Sequence, residues 1–168
     1  MGIGKISKAF TIVELVVTLV IIGIMAVVVM TSAAPKGSVR LEAACQKIAL
    51  DLRYMHQMAI AEQVRFGISL DTSDESYFGY RVTTSTKAID PQTRNNLEVE
   101  FDESREFNDI DILNNNFNNA IEFDSTGAPY NGSGVKLSSQ GIVTLQTVGG
   151  SYSKTVRIEP ETGKVSIQ

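Results

Sequence analysis

The stretch that decides the fold reads Phe10-Thr11-Ile12-Val13-Glu14-Leu15-Val16-Val17-Thr18-Leu19-Val20-Ile21-Ile22-Gly23-Ile24-Met25-Ala26-Val27-Val28-Val29-Met30. From Phe10 to Ala34 the only charged residue is Glu14. A helix of about 25 residues is roughly 37 Å long, against a hydrocarbon core near 30 Å, so this run is long enough to span a bilayer with some tilt. Lys5 and Lys8 precede it, and the positive-inside rule then places the N-terminus in the cytoplasm and the bulk of the chain outside. A secretory signal peptide fits less well: its apolar core is typically about 7–15 residues and ends in a small-residue cleavage site, and no such site follows here. A plain membrane anchor leaves Glu14 unexplained. A carboxylate inside the apolar region costs on the order of 2.5–3.5 kcal/mol on insertion scales, which marks it as a functional residue in need of a partner.

The rest of the composition narrows the chemistry. The chain has 168 residues, 43% hydrophobic and 20% charged, with a net charge of −4. That suits one packed domain plus an appendage and argues against disorder. The acidic balance argues against a strongly basic nucleic-acid binder. The one cysteine, Cys45, excludes an intrachain disulfide, and the one histidine, His56, excludes a histidine-rich metal cluster. No cofactor is expected, and the composition makes an enzyme improbable.

A short basic leader, a small residue and then Phe10-Thr11-Ile12-Val13-Glu14-Leu15 resembles the type IV prepilin signature. The resemblance implies that a prepilin peptidase cuts between Ala9 and Phe10 on the cytoplasmic side and N-methylates Phe10, making Glu14 the fifth residue of the mature chain. One departure is Ala9, where the family usually has Gly. Cleavage would create a cationic amine at Phe10, and the Glu14 carboxylate of one subunit would pair with the amine of a neighbour. Each charge is costly alone in an apolar setting, so the pair would set the register of helix stacking.

Beyond this run, Ala33-Ala34-Pro35-Lys36-Gly37-Ser38 predicts a kink or short break, with Ser38 as the N-cap of a second helix. Leu41, Ala44, Cys45, Ile48, Leu52, Met55 and Ala59 follow at three- and four-residue spacing, which predicts an amphipathic helix over 38–64 packed against a sheet. Cys45 falls on that stripe and reads as a buried, inert thiol; His56 borders it beside Met55. After residue 64 the period becomes two. Strands are expected at 64–70, 77–82, 97–101, 120–123, 135–137, 142–146, 154–158 and 165–167, with loops at 84–96 and 102–119. The run Asn114-Asn115-Asn116-Phe117-Asn118-Asn119 reads as an exposed turn. The expected class is α+β: a long N-terminal hydrophobic helix, then a helix packed against one or two antiparallel sheets. The expected divisions are a leader over 1–9, an apolar helix over 10–34, the amphipathic half of the spine over 35–64 and a β-rich head over 65–168.

A second resemblance lies in Ile121-Glu122-Phe123-Asp124-Ser125-Thr126-Gly127, Gly141-Ile142-Val143-Thr144-Leu145, Val156-Arg157-Ile158 and Thr162-Gly163-Lys164-Val165. These are similar to the GspH/FimT domain of minor pseudopilins and minor pilins. The resemblance implies a structural subunit of a type II secretion or type IV pilus filament, at or near the tip. It would be anchored in the bacterial inner membrane with its head in the periplasm before assembly. The implied partners are prepilin peptidase, other pilins or pseudopilins, the inner-membrane assembly platform and, before assembly, membrane lipid. Some FimT-like pilins bind DNA through a Gly-Arg-x-Arg pattern, but the equivalent stretch here is Gly163-Lys164-Val165-Ser166. Removing the leader also removes Lys5 and Lys8, leaving 13 of 15 basic side chains against 19 acidic ones. A nucleic-acid partner is therefore the alternative rather than the expectation. Asp71, Asp74 and Glu75 lack calcium-loop spacing and read as a solvated turn. Asn131-Gly132-Ser133 matches a glycosylation sequon but is first a turn signal. Gly2-Ile3-Gly4-Lys5 is too short for a phosphate-binding loop.

Overall fold

The computed structural model describes residues 11–31 and 36–168, leaving aside the side chains of 27–31 and 36. Ala9, Phe10, the rest of the leader and the expected break at Ala33, Ala34 and Pro35 lie outside the described residues. The chain divides into two units at Lys36/Gly37.

The first unit holds helix α1 (Ile12–Thr31). Thr11 caps it: the Thr11 Oγ1 accepts the Glu14 N–H at 3.3 Å, and the Thr11 carbonyl accepts the Leu15 N–H at 3.2 Å. Every described side chain from Ile12 to Ala26 is exposed.

The second unit begins with α2 (Lys36–Glu62). The helix is already running at Lys36, so Gly37 and Ser38 sit inside its first turn, and Ser38 is not the N-cap expected from the sequence. The stripe of Leu41, Ala44, Cys45, Ile48, Leu52, Met55 and Ala59 is buried as the spacing predicts, joined by Ala49. Fully burying a leucine or methionine side chain contributes about 1.5–3 kcal/mol, so this face is the main apolar anchor of the helix.

Two antiparallel sheets follow. The first contains β1 (Phe66–Asp71), β2 (Ser76–Arg81), β3 (Thr86–Lys87), β4 (Glu98–Glu100), β6 (Ala120–Phe123) and β7 (Pro129–Asn131), in the order β3-β2-β1-β6-β7. β4 also pairs with β2, against Ser76–Phe78, while β3 pairs at Tyr80 and Arg81. The second contains β5 (Ile110–Asn115), β8 (Gly141–Thr147), β9 (Ser153–Ile158) and β10 (Val165–Ile167), in the order β10-β9-β8-β5. In β8 the inward residues Val143 and Leu145 alternate with half-buried Ile142, Thr144 and Gln146, a strand with one face on the core. Tyr77, Phe101, Phe117, Ile121, Phe123, Ile110, Ile112, Val156 and Ile158 join the α2 stripe in one buried cluster.

Three expectations from the sequence need correction. The expected loop 102–119 contains β5, whose alternation is broken by an irregularity between Ile112 and Asn114. Within the asparagine run, Asn114 and Asn115 end that strand and Phe117 is only 1% exposed, so the run is not simply an exposed turn. The expected strand 135–137 is replaced by β7 at Pro129–Asn131, and residue 136 contributes one isolated bridge to Tyr130.

Candidate assembly surfaces

Glu14 lies in the first turn of α1, exposed, with its backbone N–H held by Thr11. The spacing Thr11-x-x-Glu14 is that of a capping box, a signal present in the sequence that the emphasis on membrane cost passes over. The residue thus sits where a carboxylate favours helix initiation, because an anionic group near a helix N-terminus is stabilised by the unpaired backbone N–H groups there. Around it, Ile12, Val13, Leu15, Val16, Val17 and Leu19 are each at least half exposed, on every side of the helix. A helix that is apolar all round is stable in water only when something covers it. Among the described residues no helix is long and apolar enough to cross a membrane. The stretch with described side chains, Ile12 to Ala26, rises only about 22 Å.

In the second unit the charges of α2 are turned onto its own head. Arg40 pairs with Asp109, Glu42 with Lys154, and Glu62 with Arg81 at 2.9 Å. Lys47 reaches Asp51 at 2.9 Å and Asp90 at 3.7 Å, and Arg53 donates to the Val165 carbonyl at 3.0 Å. Every described charged side chain of α2 therefore has a partner within its unit. What remains outward is nearly uncharged: Val39 is 59% and Leu50 57% exposed.

Beneath that surface, Asp51 is buried and accepts the Tyr77 hydroxyl at 2.7 Å. Burial pushes the Asp51 carboxyl above its ordinary value, opposed by the hydrogen bonds from Lys47 and Tyr77. Tyr77 is held far above the usual tyrosine range, first by its own burial and then by the Asp51 charge. Cys45 is buried, and desolvation pushes its thiol up to about 11, as befits an inert core thiol.

The short motifs of the C-terminal half meet at His56. Its ring stands edge-on to Phe123 at 5.2 Å. Gly127, at φ +85°, and Gly163, at φ +64°, lie against it: a Cβ at Gly127 would fall 2.5 Å from His56 Nε2, and one at Gly163 would fall 2.4 Å from the Gly127 carbonyl oxygen. Gly127 follows β6 and Gly163 precedes β10, so these two glycines let one turn from each sheet close on the same point of α2. That is a packing reason for glycine in both motifs. Lys164, the counterpart of a DNA-contacting arginine in the resemblance, is an exposed residue of this turn.

The other sequence candidates separate in space or serve the backbone. The Asp71 carboxylate caps a turn through the Ser73 and Asp74 N–H groups, which hold it below the usual carboxylate range. Glu75 instead turns to accept the Ile112 N–H on β5, and burial raises its carboxyl. Asn131 accepts from the N–H groups of Ser133 and Val135 at 3.0 Å, closing the loop after β7. Among the described residues no group of three His, Cys, Asp or Glu is placed to hold a metal ion. A depression of about 820 Å³ beside β4 is lined by Glu98, Glu100, Glu103, Arg94 and two asparagines. Glu103 raises the Glu100 carboxyl by like-charge repulsion, so this surface is acidic.

The model of a family described as type II transport protein GspH matches residues 44–163. Solved structures with the same fold include the minor pseudopilin EpsH from the type 2 secretion system of Vibrio cholerae. It has a TM-score of 0.57 and 11% identity, over 77% of this chain and 96% of that one. The type IV minor pilin FimU of Pseudomonas aeruginosa has a TM-score of 0.56 and 10% identity, over 76% of this chain and 87% of that one. A second crystal form of FimU gives 0.52 at 10% identity. No curated protein matches the sequence. At these identities the likeness is one of fold, and the span 44–163 includes the α2 stripe, both sheets and the His56 junction.

Proposed function

The chain belongs to the GspH family of type II transport proteins, and from that premise we propose that it is a structural minor subunit of a secretion or pilus filament, processed at its N-terminus and assembled through α1. Its head has the fold of minor pseudopilins and minor pilins, a family of structural proteins rather than enzymes. The observation that carries the reading is the contrast between a head with its own closed core and an apolar helix exposed on every side. In the proposed sequence of events, prepilin peptidase cuts between Ala9 and Phe10 and methylates Phe10. The apolar helix waits in the inner membrane with the head in the periplasm. The assembly platform then passes it to neighbouring pilins, at or near the filament tip, where Glu14 of one subunit meets the Phe10 amine of another.

The nucleic-acid alternative gains no support from the head: the depression beside β4 is acidic, and Lys164 is the lone basic residue at the candidate turn. Mass spectrometry of the native polypeptide tests the processing step. A mature chain starting at methylated Phe10 is expected; retention of Met1 to Ala9 in cells with a working peptidase overturns it.

A further inference from the structure

The contacts between α2 and the second sheet run in order along the helix. Gly163, just before β10, packs on His56; Val165 accepts from Arg53; Lys154 of β9 pairs with Glu42; and Thr147, the last residue of β8, lies against Gly37, where a Cβ would meet its Cγ2 at 3.3 Å. From His56 to Gly37 is a rise of about 28 Å. The hairpin joining β8 to β9 therefore turns beyond Thr147, past the first turn of α2, at the end where the chain arrives from α1.

The apex of that hairpin is Val148-Gly149-Gly150-Ser151-Tyr152, without a charge. Val148 is 62% and Tyr152 44% exposed, flanking a turn closed by Gly150 N–H to the Thr147 carbonyl at 2.7 Å. A hollow of about 390 Å³ lies between this apex and Gly37, with Asn108 and Asp109 on its rim. Asp109 is neutralised by Arg40, so no unpaired charge faces the apex. We propose that Val148–Tyr152 is a membrane-surface contact that seats in the headgroup–acyl boundary of the bilayer holding α1 before assembly.

Three observations select lipid as the occupant. Five peptide steps join Thr31 to Lys36, a reach of at most roughly 18 Å, so the exposed apolar helix ends within reach of the apex. An aliphatic residue beside a tyrosine, whose ring is apolar and whose hydroxyl is not, is the chemistry that settles at a bilayer interface. The exposed apolar area of the two side chains is on the order of 200 Å², far below the ~800 Å² per partner of a stable protein interface. The inference rests on α1 being held in a membrane, and its test separates the two.

The full chain is reconstituted in phosphatidylethanolamine–phosphatidylglycerol vesicles, with a single environment-sensitive fluorophore on Val148→Cys, Lys136→Cys or Val20→Cys. The buried Cys45 stays unlabelled at neutral pH. Position 136 adjoins Leu137, which packs on Gly141 at the opposite end of β8. Nitroxide-headgroup lipid is expected to quench position 148 at least twofold more than position 136. Adding the exposed-site change Tyr152→Asp should bring 148 down to the level of 136. Equal quenching at 148 and 136, with position 20 quenched by acyl-chain nitroxide, overturns the contact while leaving α1 in the membrane. No quenching at position 20 removes the membrane reading and the contact together. A signal at 148 that follows the protein-to-lipid ratio but not the nitroxide content places a second subunit on the apex and also overturns the proposal.

Discussion

The two helices of this chain solve the same problem in opposite ways. α2 carries apolar residues on one stripe, buries them to 0–1% exposure, and sends its charges onto its own sheets. α1 carries apolar residues all round and covers none of those whose side chains are described. In α2 the sequence pattern is satisfied within the unit; in α1 the pattern is satisfied only by lipid or by other subunits. The difference locates function where folding is unfinished, and each helix has its own way of being broken.

The largest effect is expected at Glu14. Replacing it with Val removes one member of the proposed Glu14–Phe10 amine pair and leaves the other charge uncompensated, a loss of about 3–5 kcal/mol when such a pair is buried. Incorporation into filaments should fall by on the order of a hundredfold, since each 1.4 kcal/mol is a factor of ten, while head stability is unchanged. Glu14→Gln sharpens this. It keeps the backbone N–H bond to Thr11 and a polar side chain but removes the charge. Loss of incorporation with Gln as with Val assigns the effect to charge; normal incorporation with Gln reduces Glu14 to a helix-starting residue.

The converse cut is made in the head. Phe123 is fully buried against His56, and Phe123→Ala should lower the stability of the head by roughly 3–5 kcal/mol, read by denaturant unfolding. A membrane-inserted α1 should remain inserted. Gly163→Ala should cost roughly 2–4 kcal/mol, because strain at φ +64° is added to a 2.4 Å approach to a backbone oxygen. Gly134→Ala is its control: it has φ +75° and open space around it. It should lose only the strain, about 1 kcal/mol. Equal losses at the two glycines would show that the His56 junction does not hold the turns together.

How much of this could be read in advance follows from the range of each interaction. The α2 stripe and strands such as β8 and β9 are local periodicities, and they were legible. The existence of a head and of an exposed apolar helix followed from the same patterns. β5 was hidden because the apolar alternation of Ile110 and Ile112 is broken by an irregularity before Asn114 and then runs into asparagines, which by themselves signal a turn. β3 and β7 span two and three residues, too few to show a period. Gly127 and Gly163 stood out as motif positions, but the reason for them, a shared approach to His56, joins residues up to 107 positions apart and leaves no local mark. At Glu14 the residue was legible and one of its two roles was missed, because Thr11-x-x-Glu14 is a helix-start signal as well as a charge in an apolar run.

The smallest effect tests the quieter side of the contrast, the polar groups that α2 buries for the sake of the head. Asp51 has its carboxyl raised above the ordinary value of 3.8, first by burial, against the hydrogen bonds of Lys47 and Tyr77. A carboxyl whose pKa rises on folding takes up protons as the chain folds. Its contribution to stability is fully present below the unfolded value and is lost as pH climbs through the folded one. Asp51→Asn keeps an acceptor for the Tyr77 hydroxyl and removes the titration. The stability of the variant relative to the parent should therefore rise as pH increases from about 4, by on the order of 1 kcal/mol, the net size of a single hydrogen bond. Glu75, also raised by burial, pushes the parent the same way, and Asp71, lowered by two backbone N–H groups, pushes it the opposite way. Both titrate in parent and variant alike, so the difference between the two unfolding curves isolates Asp51. A difference that is flat with pH, or that favours the parent as pH rises, would mean that Lys47 holds Asp51 ionised more strongly than burial disfavours it. The α2 interior would then be stabilised by an ion pair at the position where the structure places a reluctant one.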